Sequence, residues 1–386
     1  MDFRWNDEQT QLKKAARDFM EKEIIPNVEA WDQMMPLTKE LCVELMNKMK
    51  PLGYVTGMAP KELGGEGLDY LTDGLLMEEL WRAFPSYALV VMIQSHMVLG
   101  LAREGTDYLK EKFLKKMMSC EMIASAGITE PNVGSNPRMM ETTAVLDGDN
   151  YVVNGTKIWI SNGTISDMCM VTVSLDKAKG KKGIARILVD REESSYERRD
   201  LRKLGLRSSP TGELVFDNCV VPRANLFTPE GEGLRETLKG FELARCHLAL
   251  GAVGIAQASI DASMQYVLQR EQFGKLIGKF QLVQAALSDM VAETEASRLL
   301  AYRGLSLIQE GVKCAWETSL AKFYATEAAA RVTSRALQLH GAYGLSEEFP
   351  LERYFRDART LTIPDGTTDI QKLIVGRELT GLNALV

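Results

Sequence analysis

The chain has 386 residues, is 45% hydrophobic and 25% charged, and carries a formal net charge of −6. That length exceeds one simple core and predicts two or three domains of ordinary globular composition. The acidic balance argues against a general nucleic-acid binder, although a phosphate ligand needs only local basic groups or a helix N-terminus.

The opening stretch, MDFRWNDEQTQLKKAARDF, is acidic from its second residue and has no apolar run ending in a cleavage site. It reads as neither a signal peptide nor a transit peptide, and the expected location is cytoplasmic. No apolar run is expected to be long enough to span a bilayer, so no membrane insertion is expected. Six cysteines (Cys42, Cys120, Cys169, Cys219, Cys246, Cys314) form no CxxC pair, and the three histidines lie far apart. Buried thiols and no protein metal site are the reading.

Residues 1–120 read as helices. In NDEQTQLKKAARDFMEKEII, Leu12, Ala15, Ala16, Phe19 and Met20 recur at helical spacing. Thr38 can cap KELCVELMNKMK and Gly53 can stop it, and a long apolar stretch is interrupted around Pro85. Residues 121–230 switch to strand signals: TTAVLDGDNYVVNGTKIWISNG alternates β-rich runs with Asp-Gly and Asn-Gly turns, and MCMVTVSL, IARILVDR and ELVFDNCVV follow. Short strands without intervening helices predict an antiparallel sandwich or barrel. Residues 231–386 return to long, alanine-rich amphipathic patterns, which predict a helical bundle packed against copies of itself. The fold class is α+β, with a β domain inserted between two helical domains.

Near the end stands LTIPDGTTDIQ, residues 361–371. Proline cannot continue a helix and Asp-Gly is turn chemistry, so Asp365, Thr367 or Thr368 could each cap the helix that DIQKLIVGREL predicts. The local chemistry equally permits Asp365 to be a catalytic base.

Five segments in order, AGITEPNVGSN, KIWISNG, REQFGKLIGKFQ, QLHGAYG and PDGTTDIQ, resemble the acyl-CoA dehydrogenase family over essentially the whole chain. The resemblance implies an N-terminal helical domain, a middle β domain and a C-terminal four-helix bundle, with FAD held between the last two. It implies that Ile128 and Thr129 meet the flavin ring, and that Trp159 and Ser161 supply an aromatic wall and a hydroxyl near flavin N5. Arg270, Gln272 and Phe273 match positions reaching the FAD of a neighbouring subunit. Gln281, Gln338, Gly341, Thr367 and Asp369 match further cofactor contacts. Shared FAD implies at least a dimer, and a homotetramer is the usual family state. Ser135 matches a position beside the cofactor and the pantetheine, while Glu242 and Arg245 of FELAR match coenzyme A contacts, with Glu242 standing where aspartate is commoner. Electron-transfer flavoprotein is the electron acceptor that the resemblance implies.

PDGT stands where the family usually has YEGT, so Asp365 falls on the base position, with Gly366 beside it at the substrate. The alternative family position for a base is occupied by Ala244, which cannot act. Aspartate is shorter than glutamate by about 1.5 Å. A bulkier α-branched or cyclic acyl group, bringing its α carbon nearer, is one way to use that space. The acyl pocket is expected along residues 86–100, near Val91. SSPTGEL is similar to glutaryl-CoA dehydrogenases, which carry an arginine in this stretch, but no basic residue occurs from 86 to 100. An uncharged acyl group is therefore expected, and the chain most resembles cyclohexanecarboxyl-CoA dehydrogenases. Short branched-chain thioesters, a nitroalkane-oxidase-like reaction and a non-catalytic scaffold are the alternatives.

Overall fold

The computed structural model describes residues 4–384. Asn6 opens the first helix, α1 (Asp7–Phe19), by accepting from the Gln9 amide at 2.8 Å, while the Gln9 side chain returns a bond to the Asn6 amide at 3.2 Å. This reciprocal pair satisfies two donors that a helix start leaves orphaned. Thr38 caps α2 (Lys39–Met49), and Gly53, at φ +92°, closes the turn after it. Asp69 caps α3 (Tyr70–Ala83), and Pro85 stands at the first turn of α4 (Pro85–Glu104), where its missing N–H removes no helical bond.

Eight strands follow: β1 (Ala124–Gly127), β2 (Thr143–Asp147), β3 (Asn150–Ser161), β4 (Met168–Ser174), β5 (Ile184–Asp190), β6 (Glu197–Asp200), β7 (Thr211–Pro222) and β8 (Leu226–Thr228). Their order is β6-β7-β3-β2-β4-β5-β8, with β1 on β4. The sheet is mixed, not wholly antiparallel as expected: β1 runs parallel to β4, and β2 meets β4 in parallel through Thr143 and Ser174. Neither pair is joined by a hairpin, and only a hairpin forces the antiparallel sense. The narrow β2–β4 junction lets the two halves of the sheet enclose a core that includes Val153, Ile160, Val171, Val189 and Phe216.

Three long helices, α5 (Gly233–Val267), α6 (Gln281–Gln309) and α7 (Ala315–His340), pack against one another. Two shorter ones, α8 (Leu351–Leu361) and α9 (Thr368–Thr380), lie against α7. Glycines set how closely α3 approaches α5. A Cβ on Gly251 would stand 2.8 Å from the Trp81 ring, and one on Gly254 would stand 2.7 Å from the Arg82 amide.

The expectation about apolar runs needs correction. Pro85–Glu104 and Gly233–Val267 are long and apolar enough, by length and composition, to cross a membrane. Their apolar windows are 83% and 89% buried inside the fold, as core helices of a three-domain chain are.

Candidate active site

The segment between α8 and α9 carries Asp365. Asp365 has φ +52° and Gly366 φ +98°, so two successive residues occupy left-handed backbone space. Aspartate tolerates that region better than most residues, whereas glycine is required at 366. A Cβ there would stand 2.3 Å from Gln371 Nε2. The cap of α9 is Thr367, whose hydroxyl accepts from the Ile370 amide at 3.3 Å. Asp365 is thereby freed from capping.

The turn is held from three helices. Gln371 Nε2 donates to the Asp365 carbonyl at 2.8 Å and to the Gly366 carbonyl at 3.1 Å. Lys322 Nζ, deep in α7, donates to the Gly366 carbonyl at 2.9 Å, and Arg245 Nε of α5 reaches the Asp365 carbonyl at 3.5 Å. Burial raises the Asp365 carboxyl above its usual range, against the pull of Lys322 and Arg245. Burial also pushes Lys322 down to about 8 and lowers Arg245, each opposed by Asp365. The product is a carboxylate with heightened proton affinity beside two cations, which is the electrostatic setting of a general base. Glu242, one turn from Arg245, is half-buried, and burial raises its carboxyl while Arg245 pulls it down.

On the sheet, Ile128 and Thr129 are brought beside Trp159: the Ile158 amide donates to the Thr129 carbonyl at 2.9 Å. The register of β3 with β7 breaks between Lys157 and Ile160, and Trp159 sits in that break at φ +62°, its side chain 55% exposed. A large indole at such exposure is a surface awaiting cover. Ser161 pairs with Thr211 at the end of the same strand, and Ser135 lies on the exposed loop after Val133. Sequence reasoning missed what fastens the loop. Fully buried Lys157 contacts Glu130 at 2.7 Å and donates to the Ile128 carbonyl at 3.1 Å, while Glu130 accepts from the amides of Glu141 and Thr142. Burial works to raise the Glu130 carboxyl, but Lys157 together with the hydrogen bonds from Thr142 and Glu141 lowers it.

A second group forms beyond α5. Arg270 stands 5.8 Å over the ring of Tyr343, in the turn that Gly341 opens after the last helical residues of α7, Gln338 among them, and pairs with no carboxylate among the described residues. Gln272 is exposed, as are Phe273 at 92% and Gln281 at the start of α6. Thr367 and Asp369 line a cavity of about 620 Å³ with Tyr324, Arg331 and Lys372. An exposed indole, hydroxyls and an unpaired guanidinium fit a cofactor with one flat aromatic end and one pyrophosphate.

The stretch 86–100, expected to line the acyl group, is α4. On the largely buried α4, Leu89, Ile93, His96 and Gly100 are the partly exposed residues at helical spacing, and a Cβ on Gly100 would meet nothing within 4 Å. Val91 is fully buried in the core, on the opposite face from that stripe. Glu130, Lys157 and Gln371 lie inside the quoted motifs and Lys322 outside them, but nothing in residue type or spacing marked any of the four as a support.

This arrangement of a β domain between helical domains, a carboxylate turn backed by cations and an exposed indole on the sheet fits a flavin-dependent oxidoreductase. Family models for the N-terminal, middle and C-terminal domains of acyl-CoA dehydrogenase match residues 6–121, 125–219 and 231–380, and the chain belongs to that family. It is similar to a glutaryl-CoA dehydrogenase of Desulfococcus multivorans, 37% identical over 390 residues and covering 99% of each chain. A glutaryl-CoA dehydrogenase of Mycobacterium smegmatis in complex with FADH2 superposes with TM-score 0.91 and 30% identity, over 99% of this chain and 97% of that one. A chain from the structure of the Acidaminococcus fermentans electron transferring flavoprotein superposes with TM-score 0.93 and 33% identity, over 98% of this chain and 100% of that one. The protein is an FAD-dependent enzyme that dehydrogenates an acyl-CoA.

Proposed function

We propose that the substrate is an uncharged alicyclic acyl-CoA, cyclohexane-1-carboxyl-CoA, oxidised to the 1-ene with Asp365 as the base that removes the α proton. The observation that carries this is the fixation of the short base. Four hydrogen bonds from Gln371, Lys322 and Arg245 hold the carbonyls of Asp365 and Gly366. A turn so held does not slide forward to recover the missing ~1.5 Å of reach, so the α carbon has to come to it. A ring attached directly at that carbon favours such an approach by filling the space alongside. From Leu89 to Gly100 the accessible stripe of α4 carries no lysine or arginine for a second carboxylate, and Arg103, the next residue along it, is already engaged with Tyr70; an unpaired charge there is costly. This argues against a glutaryl group despite the named relatives. A short α-branched acyl group satisfies the same constraint and is the second reading.

FAD, when bound, would supply the acceptor for the hydride of the β carbon. Ile128, Thr129, Trp159 and Ser161 are the residues proposed to face its ring, and Arg270, Gln272 and Gln338 of a second copy its phosphate end. Phe273 in the 271–276 hairpin, Leu282 at the start of α6 and Leu345 are exposed apolar side chains and support packing between copies. Electron-transfer flavoprotein is the proposed acceptor.

The test is an anaerobic titration of the purified yellow protein with cyclohexanecarboxyl-, 2-methylbutyryl-, butyryl- and glutaryl-CoA, following oxidised-flavin absorbance. Bleaching by the cyclic ester, lost in Asp365→Asn, is expected. Bleaching confined to glutaryl-CoA or butyryl-CoA overturns the argument from the short base.

A further inference from the structure

Asp365 is followed by a glycine, and an Asp-Gly pair has a reactivity of its own. The backbone nitrogen of the second residue can attack the side-chain carboxyl of the first, because the two close a five-membered ring. A glutamate would have to close the larger six-membered ring, which is slower. Glycine leaves the attacking nitrogen unshielded, since it carries no Cβ. The chain has three such pairs. Asp73 and Gly74 lie inside α3, where regular helical backbone fixes both residues. Asp147 and Gly148 are exposed at the turn between β2 and β3. The third pair is the base turn.

The base turn presents both reacting groups free. Thr367 caps α9, and the Asp365 carboxyl makes no hydrogen bond to the protein among the described residues. The Gly366 amide donates to no protein acceptor among them either. Gln371 and Arg245 donate to the Asp365 carbonyl, which belongs to the same peptide unit as that amide nitrogen. Donors on the oxygen draw electrons from the peptide and make its N–H easier to deprotonate. Burial raises the Asp365 carboxyl, so more of it is protonated near neutral pH, the form that loses its hydroxyl as water.

We infer that the base turn is a self-modification site, at which the Gly366 nitrogen attacks Asp365 Cγ and the base is lost by isomerisation to isoaspartate. A C–N bond forms, the carboxyl C–O bond breaks, and the amide proton and the hydroxyl leave as water. Water then opens the cyclic imide. Attack at Cγ restores aspartate, whereas attack at the main-chain carbonyl routes the chain through Cγ and leaves the carboxylate on Cα. No oxidant or other co-reactant enters. The product has a shorter acid arm and a longer main chain, in a turn whose carbonyls are held by Gln371, Lys322 and Arg245. The loss of activity rests on the reading of Asp365 as the base; the isomerisation does not.

The yellow holoenzyme is incubated until half of Asp147 has isomerised, and samples are split. One part gives the rate of flavin bleaching by the ester that the titration selects. The other is digested with trypsin, and the peptide 360–372, which holds Asp365 and Asp369, is sequenced by electron-transfer fragmentation, which distinguishes isoaspartate from aspartate. Isoaspartate is expected at 365 and 147 but not at 73, with bleaching lost in proportion to the Asp365 consumed. Acetyl-CoA, which has no β carbon to give up a hydride, should slow the change at 365 and leave that at 147 alone. Asp365→Glu should keep its own initial rate throughout. Half-converted Asp147 beside intact Asp365 overturns the inference. Isoaspartate at 365 with undiminished bleaching leaves the modification standing and overturns Asp365 as the base.

Discussion

Replacing Lys322 with methionine tests the base turn at its buried cation. Lys322 is fully buried, donates to the Gly366 carbonyl at 2.9 Å, and is pulled by burial from the usual 10.5 to about 8. That gap corresponds to about 3 kcal/mol, at ~1.4 kcal/mol per pH unit. A lysine that titrates lower when folded favours the unfolded chain wherever it is protonated. Its cost to stability is full below pH about 8 and fades as the pH rises from there towards 10.5. Methionine keeps most of the stem and removes this cost, but takes one donor from the Gly366 carbonyl, a loss of about 1–2 kcal/mol. Lys322→Met should therefore be more stable than wild type by about 1–2 kcal/mol near pH 6.5, and that advantage should shrink by about 2 kcal/mol near pH 9.5. Urea unfolding of both proteins at the two pH values measures it. The catalytic readout is separate. Lys322 pulls the Asp365 carboxyl down, so without it the acid limb of kcat/KM should move to higher pH. Parallel stability curves and an unmoved acid limb together refute the assignment of Lys322 as the cation that tunes the base.

Asp365→Asn should lower the rate of flavin bleaching by about 10²–10⁴ while still binding the CoA ester, measured by stopped-flow absorbance and calorimetry. Asp365→Glu should lose about 10²-fold with the cyclic ester, since an error of about an ångström is enough for that; a gain in activity would count against the account of the short base. Gly366→Ala places a Cβ 2.3 Å from Gln371 Nε2 at a backbone φ of +98°, and should cost about 1–3 kcal/mol in thermal unfolding together with kcat. Lys157→Met leaves the Glu130 carboxylate buried without its cation, which should cost about 3–5 kcal/mol and release flavin into the filtrate on ultrafiltration.

What the sequence made legible was local or carried by motifs. Thr38 and Gly53 act through neighbours three residues away, and their roles follow from residue type and spacing. The three-domain order followed from the change of period near residues 121 and 231. That Leu89, Ile93 and His96 rather than Val91 stand on the accessible side of α4 was not legible, because α4 is apolar nearly all round and its pattern has no phase. Only contacts with α5 and the sheet decide which stripe stays open. The parallel pairing of β1 with β4 joins strands that are not consecutive, so no turn announces it. Lys322 reads in SLAKFYATEAAA as a solvated lysine on an amphipathic helix; its burial depends on carbonyls 44 residues further along the chain.

The same reasoning gives the aspartate at 365 a second physical cause besides reach. At φ +52° a side chain meets the left-handed penalty of about 1–2 kcal/mol, which aspartate relieves better than longer residues because its short polar side chain bonds locally. Gly366 and the donors on both carbonyls show that the turn itself demands unusual backbone. A base chosen only for the turn would leave Asp365→Glu less stable but competent once folded. A base chosen for substrate reach would leave it equally stable and slow. Thermal unfolding and single-turnover bleaching on that one variant separate the two. The alicyclic reading requires the slow turnover, with or without the loss of stability, because a turn held by Lys322, Gln371 and Arg245 does not retreat to accommodate the longer carboxylate.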